Sequence, residues 1–125
     1  VDVQVLIPKH GDSTLTQAAS MSYIKQMLEA GIKVFRYNKG FIHAKTIVVD
    51  DVLSTIGTTN MDNRSFNLNF EINAFCYDKE IAIGLRKQFL TDKTTSEELM
   101  LERWEKRPRI KRVTESLARM FAPLL

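Results

Sequence analysis

The sequence predicts an α/β fold: a mixed β-sheet flanked by helices, with a basic amphipathic helical C-terminus. Three observations carry this. Short β-branched runs alternate with helix-length amphipathic segments, the pattern of strands joined through crossover helices. Turn residues punctuate nearly every junction between those runs. And 125 residues, 44% hydrophobic and 26% charged, match one globular domain able to bury a single sizeable core.

Taken in order, "VDVQVLIP" is a buried strand ended by Pro8. "KHGDST" has turn chemistry; His10 reads as a solvated loop residue, and Asp12, Ser13 or Thr14 caps the next helix. That helix covers 15–30, with Ala18, Met21, Ile24, Met27 and Leu28 at helical spacing and Gly31 as its stop. "IKVFRY" is the second strand, and the strand–helix–strand order implies a parallel pair. "HAKTIVVD", "VLSTIG" and "NFEINAFCYD" are three further strands; apolar residues on both faces of "TIVV" predict a central strand covered on each side. "KEIAIGLRKQFLTD" is a helix with a stripe of Ile81, Ile83, Leu85 and Phe89/Leu90. "TTSEELMLERWEK" is expected to start another helix with a capping box, Thr94 to Glu97 or Thr95 to Glu98. Pro108 interrupts, and 109–122 forms the last helix. The expected organisation is one α/β domain over 1–95 and a helical extension over 96–125.

Charge is unevenly spread. Residues 1–98 carry 11 Lys/Arg against 12 Asp/Glu, whereas 99–125 carry 7 against 3. With the globular part slightly acidic, no nucleic-acid partner is expected. Cys76 is the single cysteine, reads as a small hydrophobe, and fits a reducing compartment. No His/Cys cluster has zinc-ligand spacing. No apolar run approaches the ~20 residues that cross a bilayer. A chain that opens directly on a strand, without Met, reads as a piece of something longer.

The chemistry concentrates in "FIHAKTIVVDDVLSTIGTTNMDNRSF". His43 and Lys45 are two apart on an expected strand and emerge on one face. Thr58 and Asn60 repeat that spacing after Gly57, and a hairpin would bring both pairs to one end of the sheet. An imidazole, an ammonium, a hydroxyl and a carboxamide suit a tetrahedral anion.

These residues resemble the phospholipase D superfamily, whose pattern H-x-K-x4-D-x6-G-[S/T]-x-N is met at every fixed position by His43, Lys45, Asp50, Gly57, Thr58 and Asn60. A lone H-x-K would be weak; the pattern over eighteen residues is specific. The continuation "NMDNRSFNLNFE" resembles the second-motif region of bacterial cardiolipin synthases, and the likeness runs from "LIPKHGD" to "FAPLL".

The resemblance implies a phospholipase D-like half-domain in which two motifs, from two halves or two subunits, make one active site. It makes His43 a nucleophile or general acid, gives Lys45, Thr58 and Asn60 to the phosphoryl oxygens, and requires no metal and no cofactor. Asp50 is in the catalytic motif, where it fixes strand-end geometry. Glu71 stands where relatives place an acid bonded to the catalytic imidazole. Arg64 either pairs with Asp62 or reaches toward a lipid phosphate.

The implied activity is phosphatidyl transfer between two phosphatidylglycerol molecules through a phosphohistidine. The implied partners are that lipid, an N-terminal motif-bearing half or a second copy, and an anionic membrane surface at the cytoplasmic face of the bacterial cell membrane. Two rival readings are a homodimeric nuclease or phosphodiesterase of the same superfamily and a non-catalytic phosphate- or lipid-binding half. In the tail, Ile110, Val113, Leu117 and Met120/Phe121 line one face of a helix rich in Arg and Lys. Such a face either rests in membrane headgroups or packs on its own domain; the local charge asymmetry favours the membrane.

Overall fold

Six strands and six helices are distributed over two three-stranded sheets in the computed structural model, which describes residues 1–11 and 14–120, apart from the side chains of Leu15 and Arg112. The proposed caps Asp12 and Ser13, and the tail residues from Phe121 on, lie outside the described residues. The chain divides into two compact units: residues 1–42 with 95–125, and residues 43–94.

In the first unit β1 (Gln4–Pro8) pairs in parallel with β2 (Lys33–Tyr37), as the strand–helix–strand order predicts. The expected single helix between them is two, α1 (Thr14–Met21) and α2 (Ile24–Glu29). The break has a local cause. The Ser22 hydroxyl donates to the Ala19 carbonyl at 2.6 Å, and the Tyr23 amide donates to Ser20 O at 3.2 Å, tightening the turn to three-residue bonds. α2 ends as read from the sequence. Gly31 takes φ +80°, Ile32 N–H reaches Met27 O and Gly31 N–H reaches Leu28 O, each at 3.0 Å; this closes the helix in a Schellman motif that favours glycine.

The helix expected from Thr94 onward is corrected. Residues Ser96–Leu99 form β6, antiparallel to β2, and only Leu101–Glu105 is helical (α5). Pairing overrides the helical preference of "SEEL": Glu97 faces Arg36 across the ladder at 2.7 Å, while Leu99 is buried opposite Val34. Ile24, Val34, Leu99 and Trp104 form the core, with Ile7, Met21, Met27, Leu28 and Ile32 packed against it. α6 (Arg109–Met120) starts after Pro108 and packs on α1.

In the second unit β3 (Thr46–Val49), β4 (Leu53–Gly57) and β5 (Asn73–Cys76) form an antiparallel meander. β3 is therefore an edge strand of its sheet, not the central strand its apolar run predicts, and Ile47 and Val49 are exposed. α3 (Asn63–Asn67) is capped by the Asp62 carboxylate, which accepts from Ser65 N–H at 2.7 Å. α4 (Lys79–Thr94) starts where Asp78 accepts from Ile81 N–H at 2.9 Å, and it lies against β3 and β4. Ala82 is the buried centre of its inner face, whereas Ile81 and Leu90 of the expected stripe are exposed.

Candidate active site

The β3–β4 hairpin determines which motif residues can meet. Its register pairs Thr46 with Ile56 and Val49 with Leu53, so residues 43–45 run alongside Gly57 and Thr58. One bond beyond the strand pairing, Gly57 N–H donates to Lys45 O at 3.1 Å and ties the H-x-K segment to the G-T segment. His43 and Lys45 precede β3 instead of lying within it. Lys45 Nζ donates to His43 O at 3.1 Å, and the His43 side is exposed.

Gly57 has a steric reason. A Cβ there would stand 2.4 Å from Ile72 O and 1.8 Å from Asn73 Oδ1, so only a glycine lets β5 approach β4 this closely. The approach permits a reciprocal pair: Thr58 N–H donates to Ile72 O and Ile72 N–H donates to Thr58 Oγ1, both at 3.0 Å. That pair sets Glu71 beside Thr58, and the Thr58 hydroxyl gives its one proton to Glu71 Oε2. Thr58 thus bridges β5 and Glu71 in this structure.

Glu71 is the electrostatic focus. The Thr58 hydroxyl, then the Ser65 hydroxyl, hold its carboxyl below the usual carboxylate range against the opposing effect of desolvation, with lesser help from Asn69 and the Lys45 ammonium. Asn69 Nδ2 lies 3.4 Å from Oε1. The buried Ser65 hydroxyl faces the carboxylate without the alignment of a full hydrogen bond. Ser65 and Asn69 belong to "RSFNLNFE", and sequence reasoning had given neither a role. Their signal was the run itself: a capped turn followed by two residues that return the chain to Glu71.

The remaining motif positions separate. Asp50 and Asp51 occupy the hairpin turn at φ 48° and 55°, with Val52 N–H donating to Val49 O at 3.1 Å. Short carboxylate side chains tolerate this left-handed backbone, which gives the twist a two-residue hairpin needs. Asp50 therefore sits at the opposite end of β3 from Lys45, about 16 Å away at the rise of an extended strand. It acts on the turn, and its neighbour Asp51 lies 2.8 Å from Arg86 Nε of α4. Asn60 is exposed in the loop after β4. Arg64 is exposed on α3, and Asp62 caps that helix instead of pairing with it. His10 is exposed in the turn after β1.

Among the described residues no three His, Cys, Asp or Glu side chains are grouped to hold a metal ion. An open groove of about 560 Å³ in the first unit, lined by Arg36, Glu97, Trp104 and Arg107 among others, contains no motif residue.

Residues 1–93 match the family model described as the phospholipase D-like domain of cardiolipin synthase. The chain belongs to that family. Over all 125 residues it is 46% identical to a cardiolipin synthase of Geobacillus kaustophilus and 42% identical to one of Staphylococcus aureus. It is 40% identical to cardiolipin synthase 2 of Staphylococcus epidermidis. In each case it spans about a quarter of the relative's length. The crystal structure of Nuc, a phospholipase D family member from Salmonella typhimurium, superposes with a TM-score of 0.66 at 23% identity, covering 80% of this chain and 65% of that one. At that identity the likeness establishes the fold: mixed α/β, of phospholipase D type.

Proposed function

We propose that this chain is one motif-bearing half of a cardiolipin synthase-like phosphatidyltransferase at the bacterial cell membrane. The observation that carries the reading is the junction of Lys45, Gly57, Thr58 and Glu71, made by one hairpin and one close strand approach within a complete six-position motif. His43 supplies one of two histidines; the second comes from another motif-bearing half, in the same longer chain or in a second copy. One histidine nitrogen attacks phosphorus of phosphatidylglycerol. The P–O bond to the terminal glycerol breaks, and that oxygen takes a proton from the other histidine. The glycerol hydroxyl of a second phosphatidylglycerol then attacks the phosphohistidine, returns its proton to that same histidine, and breaks the P–N bond. Two phosphatidylglycerols become one cardiolipin and one glycerol.

Lys45 and Asn60 are the groups assigned to the phosphoryl oxygens, Lys45 by charge and Asn60 by its amide protons. Glu71, kept ionised by its neighbours, is assigned to hold a histidine imidazolium in place. The second half has a seat consistent with it. Met61, Phe66, Leu68, Phe70, Ile72 and Phe75 are all exposed around the same loop and strand, far more apolar surface than a solvated face needs.

The test joins this chain to a second motif-bearing half and supplies phosphatidylglycerol vesicles. Cardiolipin with stoichiometric glycerol is expected, together with an acid-labile phosphorylated histidine. Unchanged lipid, or phosphatidic acid alone, overturns the synthase reading.

A further inference from the structure

Gly57 is bordered on one side by the motif and on the other by a side chain that the motif does not include. Its N–H donates to Lys45 O, while its register partner on β5 is Asn73. Asparagine is a poor strand former, and opposite a glycine it has no side chain to pack against across the ladder. Its carboxamide is used differently. It lies over Gly57, with Oδ1 1.8 Å and Cγ 2.6 Å from the point that a Cβ on that glycine would take. From there Asn73 Nδ2 donates to Thr59 Oγ1 at 2.5 Å.

That bond meets the loop after β4 between two other anchors. Thr58 is fastened by its paired bonds with Ile72 and by its bond to Glu71. At the far end the Asp62 carboxylate accepts from Ser65 N–H at 2.7 Å and fixes the start of α3. Residues 59–61 cross between these points, and Met61 is 86% exposed. Asn60 is the middle residue of the crossing. Consecutive Cα atoms stand about 3.8 Å apart, so a tie at Thr59 restricts where the Asn60 side chain begins.

We infer that Asn73 is a positioning residue for Asn60: its carboxamide spans Gly57, holds the Thr59 hydroxyl, and so sets the place from which the Asn60 amide meets a phosphoryl oxygen. Gly57 and Asn73 act as one device, in which the glycine clears the space and the asparagine uses it. Magnitudes favour a role in turnover over one in stability. The bond is exposed and adds little to folding, whereas displacing a binding group by about 1 Å costs up to about 10²-fold in rate. What Asn60 does rests on the transferase reading; the tie through Thr59 does not.

Two measurements test it. In the 125-residue chain, NMR order parameters of the Thr59 and Asn60 amides should fall in Asn73→Ala, while those of Gly57 and Ile72 hold. Thr59→Val keeps the shape, removes the hydroxyl, and should give the same fall even where Asn73→Ala fails to fold. With this chain joined to a second motif-bearing half, Asn73→Ala should lower kcat/KM about tenfold or more. In an Asn60→Ala background the same change should cost nothing further. A residue that only supports the fold would lose the same factor in both backgrounds. Equal losses with and without Asn60, or order parameters unchanged in both single variants, overturn the inference. A joined parent that makes no cardiolipin removes the transferase reading, and the order parameters still decide whether Asn73 holds the loop.

Discussion

The two compact units bury their side chains in opposite ways. The first has an interior: Val34 is fully buried, and Ile24, Leu99 and Trp104 close around it from a helix, a strand and a second helix. The second buries Ala82 and two serines, Ser54 and Ser65, and leaves Ile47, Phe66, Leu68, Phe70, Ile72 and Phe75 to solvent. The unit with the interior contains no motif residue, and the unit with the motif buries few large side chains of its own. The chain spans a quarter of its relatives' length, and this unit leaves a large apolar surface exposed. Core and motif are thus separated along the sequence, and substitutions should separate their effects too.

The largest expected effect is on chemistry alone. In a complete two-motif enzyme His43→Ala should lower turnover by about 10³-fold or more, while Tm stays within roughly 2 °C because the side chain is exposed. Unfolding of that variant would make His43 a structural residue and blur the contrast between the units. Next comes Trp104→Ala in the first unit. It removes a buried aromatic that also carries the Arg107 guanidinium 3.2 Å from its ring centroid, and should cost about 3–5 kcal/mol by urea denaturation. Gly57→Ala should cost about 1–3 kcal/mol, since its Cβ meets a backbone carbonyl that cannot swing aside.

A smaller effect follows from Glu71. Its folded-state pKa lies below the ordinary 4.5, so it contributes stability that is fully present above that value and is lost as pH falls through the lowered one. Glu71→Gln should therefore flatten the decline in Tm as pH falls below the ordinary 4.5. An unchanged profile would mean that the Thr58–Glu71 bridge does not form in solution. The smallest effect is Phe70→Ala: at 106% exposure it should change stability by less than about 0.5 kcal/mol in this chain alone. A larger loss would show that the second unit covers its own apolar surface.

Legibility in the sequence followed the range of each interaction. The hairpin, the Gly31 stop and the parallel β1–β2 pair rest on signals within a few residues or on a chirality rule, and all are present. The six-position motif was readable through its resemblance to the phospholipase D pattern, and one hairpin joins its first and last segments. Strand β6 was not readable. "SEEL" has helical composition, and its partner β2 lies some sixty residues earlier, where Arg36 is matched to Glu97. The helix break at Ser22 turned on one hydroxyl choosing a nearby carbonyl over water, a choice composition does not encode.

What the sequence alone determined was therefore family and inventory: an α/β chain of the phospholipase D type, with a complete six-position motif and a basic amphipathic tail. Only the tertiary structure decided their use. It moved Asp50 to the far end of its strand, turned Thr58 into a bridge to Glu71, and left Val113, Leu117 and Met120 of α6 exposed. The reason is physical. Spacing along a chain fixes which side of a strand or helix a group occupies, but the proton or surface it meets belongs to a segment brought there by folding.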